Sequence, residues 1–203
     1  GLVGSEMCIR DRLSTEGAKV FAREVAQYCK AYNLDGVNYD DEYSLYPDLG
    51  NPSFATPSAQ AGARLCYETK QVMPDKLVTV FAYGNMYGVE SVDGVDVDEW
   101  IDIVVPNYGS AAYPLGNMDK WKCAGLAAEF NLHGGGSLDS YGAQKILSGG
   151  YGWHMGFAAN PNNYTTIFQR LSGAYELYGS KLKDPTIFYK KNETTPSKYP
   201  EDL

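Results

Sequence analysis

From Leu13 to Tyr178 the chain alternates two kinds of segment, and that alternation limits its fold more than any other feature. The first kind is a short run that is apolar along its length: "LDGVNYD" (34–40), "KLVTVFAYG" (76–84), "IDIVVPNYG" (101–109), "GLAAEFNLH" (125–133) and "YGWHMGFAAN" (151–160). The second places apolar residues at helical spacing. Phe21, Val25, Tyr28 and Tyr32 follow a candidate N-cap at Ser14 and stop at Asn33, and Ala61, Leu65, Thr69 and Val72 stop before Pro74. A short helix is expected around Trp121, another across 138–148, and an amphipathic one through Ile167, Phe168, Leu171, Tyr175 and Tyr178. A strand that is apolar on both faces must be covered on both, and parallel neighbours need a crossover of helical length. The class predicted is therefore α/β, with five strands preceded by one helix and no internal repeat. A closed (β/α)8 barrel needs eight strands and about 250 residues. A doubly wound sheet often has a glycine-rich turn after its first strand, which is missing here. A truncated barrel and a complete small sheet both remain open on these grounds.

Charge and cysteines remove several function classes. The 203 residues have a formal charge of −8, and their few Lys and Arg form no basic stripe, so nucleic acid is not an expected partner. Cys8, Cys29, Cys66 and Cys123 are far apart with no C-x-x-C pair, which indicates neither a zinc site nor a disulfide scaffold. No run approaches the roughly 20 apolar residues of a membrane span. The opening "GLVGSEMCIRDR" has neither helical nor strand periodicity and resembles translated adapter sequence at the ends of gene models. Residues 1–12 are accordingly expected to be foreign to the fold, with the true N-terminus and any export signal lost, the alternative being a frayed natural terminus. The stretch from 184 to 203 is polar and contains proline, like a linker or tail.

The chemistry concentrates in "LDGVNYDDEYS" (34–44), where an apolar run ends in Asp40, Asp41 and Glu42. Clustered carboxylates repel unless something uses them. In an extended strand side chains alternate, so Asn38, Asp40 and Glu42 share one side, with Asp40 and Glu42 about 7 Å apart. A close carboxylate partner raises a carboxyl pKa, so Glu42 would stay protonated as a general acid while Asp40 stays ionised. Glycosidic bond cleavage needs that division of labour. A capped turn or solvated loop is the plainer reading of a generic acidic pair, and a divalent cation also takes several oxygen ligands.

"DGVNYDDE" resembles the D-G-x-D-x-D-x-E signature of glycoside hydrolase family 18, and "LDGVNYDDEYS" is particularly similar to the endo-β-N-acetylglucosaminidases of that family. "MPDKLVTVFAYG", "VDGVDVDEWIDIVVPNYG" and "GGYGWHMGF" fall in the order of the later strands of those enzymes. The similarity covers roughly residues 13–180. It implies that 13–183 is the C-terminal part of a (β/α)8 barrel, its five strands being strands four to eight. It implies a retaining endo-glycosidase acting between N-acetylglucosamine residues of the N-glycan core, with chitin or another N-acetylglucosamine-containing carbohydrate as the alternative substrate. No cofactor or metal is expected. By the same resemblance Glu42 is the acid and later the base, Asp40 polarises the 2-acetamido group that acts as nucleophile, and Tyr108, beside Asn107 in "PNYG", holds the acetamide. The signature's middle Asp is Asn38 here, which can hydrogen-bond Asp40 but cannot share a proton with it. A noncatalytic carbohydrate-binding protein on the same scaffold is the competing class; retention of Glu42 argues against it. The resemblance also implies a secreted, periplasmic or cell-surface location, and a chain lacking strands one to three is expected to be poorly soluble or inactive by itself.

Aromatic faces bind sugar rings, and the chain has 17 Tyr and 3 Trp. Tyr43, Tyr83, Tyr108 and Trp153 lie near predicted strand ends and are candidate sugar contacts, together with Asn38 and Asn107. Tyr39 alternates to the helix side and is expected in the core. Glu129, inside an apolar strand, is expected to face the mouth of the barrel, because an unpaired buried carboxylate is costly. His133 and His154 have no metal-ligand spacing and read as packing or rim residues. "HGGG" (133–136) lacks the nucleophile elbow of a serine hydrolase. Asn163 and Asn192 lie in N-x-T sequons.

Overall fold

A computed structural model describes residues 2–5, 13–40, 58–82, 88–130, 138–158 and 164–179. In chain order the elements are β1 (Leu2–Ser5), α1 (Thr15–Ala31), β2 (Gly36–Asp40), α2 (Ala59–Val72), β3 (Leu77–Phe81), β4 (Ser91–Val92), β5 (Val95–Asp96), β6 (Ile103–Val105), β7 (Ala124–Glu129), α3 (Ser140–Gly149), β8 (Trp153–Phe157) and α4 (Tyr164–Leu177). The five strands expected from apolar runs are β2, β3, β6, β7 and β8. The protein is mixed α/β: β1, β2, β3 and β6 pair side by side and parallel, as do β7 and β8, and a parallel bridge from Val104 to Cys123 leads from one group to the other. Apart from the small β4–β5 hairpin, strands adjacent in sequence are adjacent in space. That order is the one produced by repeated right-handed β-α-β crossovers in one direction.

The helix boundaries follow local chemistry. Ser14 caps α1 by accepting from the Gly17 N–H at 3.1 Å, Ser58 caps α2 through Ala61, and Asp139 caps α3 through Gly142. The segment expected to be helical around Trp121 is a single 3-10 turn, Lys120–Lys122. Two differences concern strands. Leu2–Ser5, which the sequence placed outside the fold, pairs with β2 from Leu2↔Gly36 to Ser5↔Tyr39. Main-chain pairing to an exposed edge satisfies N–H and C=O groups without asking for side-chain periodicity, so this strand leaves no pattern in four residues. The β4–β5 hairpin turns on Asp93 and Gly94, both at positive φ, the geometry that an Asp-Gly pair favours. Arg64 of α2 grips Asp93 with both guanidinium nitrogens at 2.6 Å, fastening the hairpin to the helix layer.

The main core lies between strands and helices. Val37 and Tyr39 of β2, Val78 and Val80 of β3 and Val104 of β6 pack with Ala18, Val25 and Cys29 of α1 and Leu65 and Cys66 of α2. Trp100, fully buried in the same cluster, donates its indole N–H to the Val95 carbonyl at 3.1 Å. Burying one such large side chain contributes about 1.5–3 kcal/mol. A second, smaller cluster of Phe81, Ile103, Val105 and Ala127, with Tyr108 and Met155 against it, uses the alternate residues of the strands. β3 and β6 thus contribute apolar residues to both clusters, while the second face of β2 carries Asn38 and Asp40 and holds the candidate site.

Candidate active site

β2 delivers the acidic motif. Val37 and Tyr39 belong to the helix-side core, so Asn38 and Asp40 point to the opposite face by alternation. Tyr39 is 1% exposed and its hydroxyl meets Thr69 Oγ1 at 2.7 Å, the core position expected of it. Gly36 sets the register: a Cβ there would stand 2.1 Å from the Leu77 carbonyl oxygen, so only glycine lets β3 approach this closely. In that register Asn38, Thr79 and Ile103 share one row across the sheet, and Asp40, Phe81 and Val105 share the row at the strand ends.

Asp40, Phe81, Val105, Glu129 and Phe157 are the last residues of β2, β3, β6, β7 and β8, so the C-terminal strand ends present two carboxylates flanking apolar and aromatic groups. Tyr108, three residues beyond β6, ties the two halves together. Its ring centroid is 5.9 Å from that of Phe81 on one side and 5.9 Å from that of Phe157 on the other. The turn that carries it is held by Gly109, whose N–H donates to the Ala127 carbonyl at 2.8 Å. Asn107 is exposed, and its side-chain oxygen accepts from the Tyr108 backbone N–H at 2.7 Å, which shapes the turn.

Glu129 is 8% exposed and pairs in register with Phe157. Its direction depends on an irregularity. Ala124 faces Trp153, but Ala127 faces Met155, so β7 carries one extra residue between them. That bulge places Ala127 and Glu129, not Leu126 and Ala128, opposite Met155 and Phe157. Asp40 and Glu129 are therefore brought to the same end and face of the sheet, with Asn38 two residues back on that face and Tyr108 packed against it, while Asn107 is exposed in the turn that carries Tyr108. Trp153 is not: it opens β8 at the opposite, N-terminal end, 38% exposed. The aromatic that sits where Trp153 was expected is Phe157, for which the only sequence signal was its place at the close of an apolar run. Glu42, Asp41, Tyr43 and Tyr83 lie outside the described residues, as do His133 and the "HGGG" segment, the asparagines of both sequons and the tail from 184.

His154 points away from this site. It stacks on Tyr178 at 5.8 Å, meets the Tyr178 hydroxyl through Nδ1 at 3.2 Å and touches the Tyr175 ring edge-on. Burial pushes its pKa below the ordinary histidine value. No cluster of three or more His, Cys, Asp or Glu able to hold a metal occurs among the described residues, and no helix among them is long and apolar enough to cross a membrane.

No protein-family model matches the chain. Endo-beta-N-acetylglucosaminidase F1 of Elizabethkingia meningoseptica is 39% identical over 188 residues, covering 89% of this chain and 55% of that protein. Among solved structures, EndoBT-3987 of Bacteroides thetaiotamicron, determined with Man5GlcNAc product, is 68% identical with a TM-score of 0.80, over 95% of this chain and 45% of that one. The same enzyme with Man9GlcNAc2Asn substrate matches with 64% identity and a TM-score of 0.80, over 100% of this chain and 51% of that one. The chain thus spans about half the length of the relatives it matches. Sequence, fold and the acidic strand end agree: over the residues it spans, the chain is similar to endo-β-N-acetylglucosaminidases.

Proposed function

We propose that the protein is a retaining endo-glycosidase that hydrolyses the β-1,4 bond between the two core N-acetylglucosamines of an N-linked glycan. The observation that carries this reading is the placing of Asp40 and Asn38 on the face opposite the helices, at the same strand ends as Tyr108. In this reading β2, β3, β6, β7 and β8 take the places of strands four to eight of a (β/α)8 barrel, and β1 lies where strand three would run. The ligands of the Bacteroides relative, Man5GlcNAc and Man9GlcNAc2Asn, give the substrate class. A secreted, periplasmic or cell-surface location suits such a substrate.

The reaction divides into two steps. Asp40, held charged, orients the substrate's 2-acetamido group, and the acetamide oxygen attacks the anomeric carbon as the glycosidic bond breaks. Glu42 gives its proton to the leaving oxygen. The resulting oxazolinium is opened by water, from which Glu42 takes a proton back, so the configuration at the anomeric carbon is retained. The substrate supplies the nucleophile, and the separation rule for two enzymatic carboxylates does not apply. Tyr108, its ring lying between those of Phe81 and Phe157, holds the acetamide, while Asn38, Asn107, Glu129, Tyr43 and Tyr83 contact the glycan. The test joins this chain to the N-terminal strands of the Bacteroides relative and follows the freshly released sugar by proton NMR. The β anomer should appear first, and Glu42→Gln should abolish release. An α anomer appearing first, or undiminished release by Glu42→Gln, would overturn the reading.

A further inference from the structure

Asn38 stands where the family signature has an acid, and a side-chain amide can face its neighbour in two opposite senses. Turned one way it offers N–H donors to Asp40; turned the other it offers oxygen lone pairs, which repel a carboxylate. The chain contains a group that decides between them. Thr79, directly across from Asn38 on β3 and 2% exposed, places Oγ1 2.8 Å from Asn38 Oδ1 and 3.2 Å from the Val37 carbonyl oxygen. A hydroxyl has one proton to give, and the shorter contact takes it. Asn38 Oδ1 keeps a second lone pair, but with that oxygen held toward Thr79 the amide's N–H donors lie on the other side of the side chain, away from β3.

We propose that Thr79 is a positioning residue, whose hydroxyl locks the Asn38 amide with its oxygen toward β3 and its donors toward Asp40. The proposal rests on the catalytic reading of Asp40 and extends it. An aspartate at position 38 would share a proton whose presence depends on pH. The Thr79–Asn38 pair supplies a donor that is present at every pH, keeping Asp40 ionised and aligned for the acetamide. The other groups at this end are few: Phe81 opposite Asp40 is uncharged, and the titratable residues among those described are Tyr108 and Glu129. Asp41 and Glu42 follow in the chain. None of these is altered by the substitutions below.

The test is an NMR titration of the Asp40 carboxyl in this chain joined to the N-terminal strands of its Bacteroides relative, with 13C-labelled aspartate. Thr79→Val keeps the shape and strand preference and removes the hydroxyl; it should raise the Asp40 pKa by about 0.5–1 unit. Thr79→Ser restores the hydroxyl and should return the value to within about 0.2 unit of the parent. Asn38→Ala should raise it at least as far, and adding Thr79→Val to Asn38→Ala should change nothing more, because Thr79 acts only through Asn38. An unchanged Asp40 in Thr79→Val, a serine variant that shifts as far as valine, or an equal shift by valine with and without Asn38 would each overturn the proposal. The titration needs no turnover, so absence of glycosidase activity would defeat the functional reading without bearing on this one.

Discussion

Gly36 shows how one residue fixes the site's frame. The Leu77 carbonyl oxygen would be 2.1 Å from a Cβ at this position, and the atom in the way is backbone, which cannot swing aside. Gly36→Ala should therefore force β2 and β3 apart and cost about 2 kcal/mol or more, seen as a lower urea midpoint; an unchanged midpoint would contradict the close approach. At this scale the sequence was legible wherever strict alternation held. Tyr39 fell in the core and Asn38 and Asp40 on the other face because β2 is regular over its five residues. It was not legible for Trp153. An apolar run marks a strand but not its first residue, and the structure starts β8 at Trp153 itself, so the ring sits at the wrong end. Glu129, expected at the barrel mouth from the cost of burying a carboxylate, closes β7 beside Phe157, and the bulge that orients it leaves no trace in the alternation of residues 124–129.

At the scale of elements, α4 and β8 meet through His154. Its ring lies against Tyr175 and Tyr178, and burial holds its pKa below the ordinary value near 6.5. Below pH 6.5 the unfolded chain therefore binds a proton that the folded chain refuses, so stability present above that value is lost as pH falls toward the folded pKa. His154→Phe keeps a ring in place and removes the titration. The difference in urea midpoint between about pH 7.5 and pH 5.5 should be smaller for this variant than for the parent; an equal difference would exclude His154 as its source. The five principal strands and the helices were readable because each runs long enough to show a period. The β4–β5 hairpin was not, since two-residue strands have none, and the Asp93-Gly94 turn was the only signal it gave. β1 was hidden for the same reason, being four residues of main-chain pairing.

For the whole molecule, the parallel strands form one ordered series from β1 to β8, and among the described residues each of those two has a single strand neighbour. Phe157 on β8 is 51% exposed although it packs on Tyr108, which is what an aromatic at an uncovered sheet end would show. The class was legible because apolar runs separated by helices admit few arrangements. The count of strands in a closed barrel was not, because it depends on what pairs with the outer strands and not on any residue within the series. The central claim is endo-cleavage driven by the acidic end of β2, and the mass of a high-mannose glycopeptide after incubation tests it most directly. The chain joined to the N-terminal strands of its Bacteroides relative should leave one N-acetylglucosamine on the asparagine, while the same protein with Glu42→Gln should leave the glycan whole. A folded joined protein that leaves the glycan intact, or one that converts the asparagine to aspartate, would contradict the account.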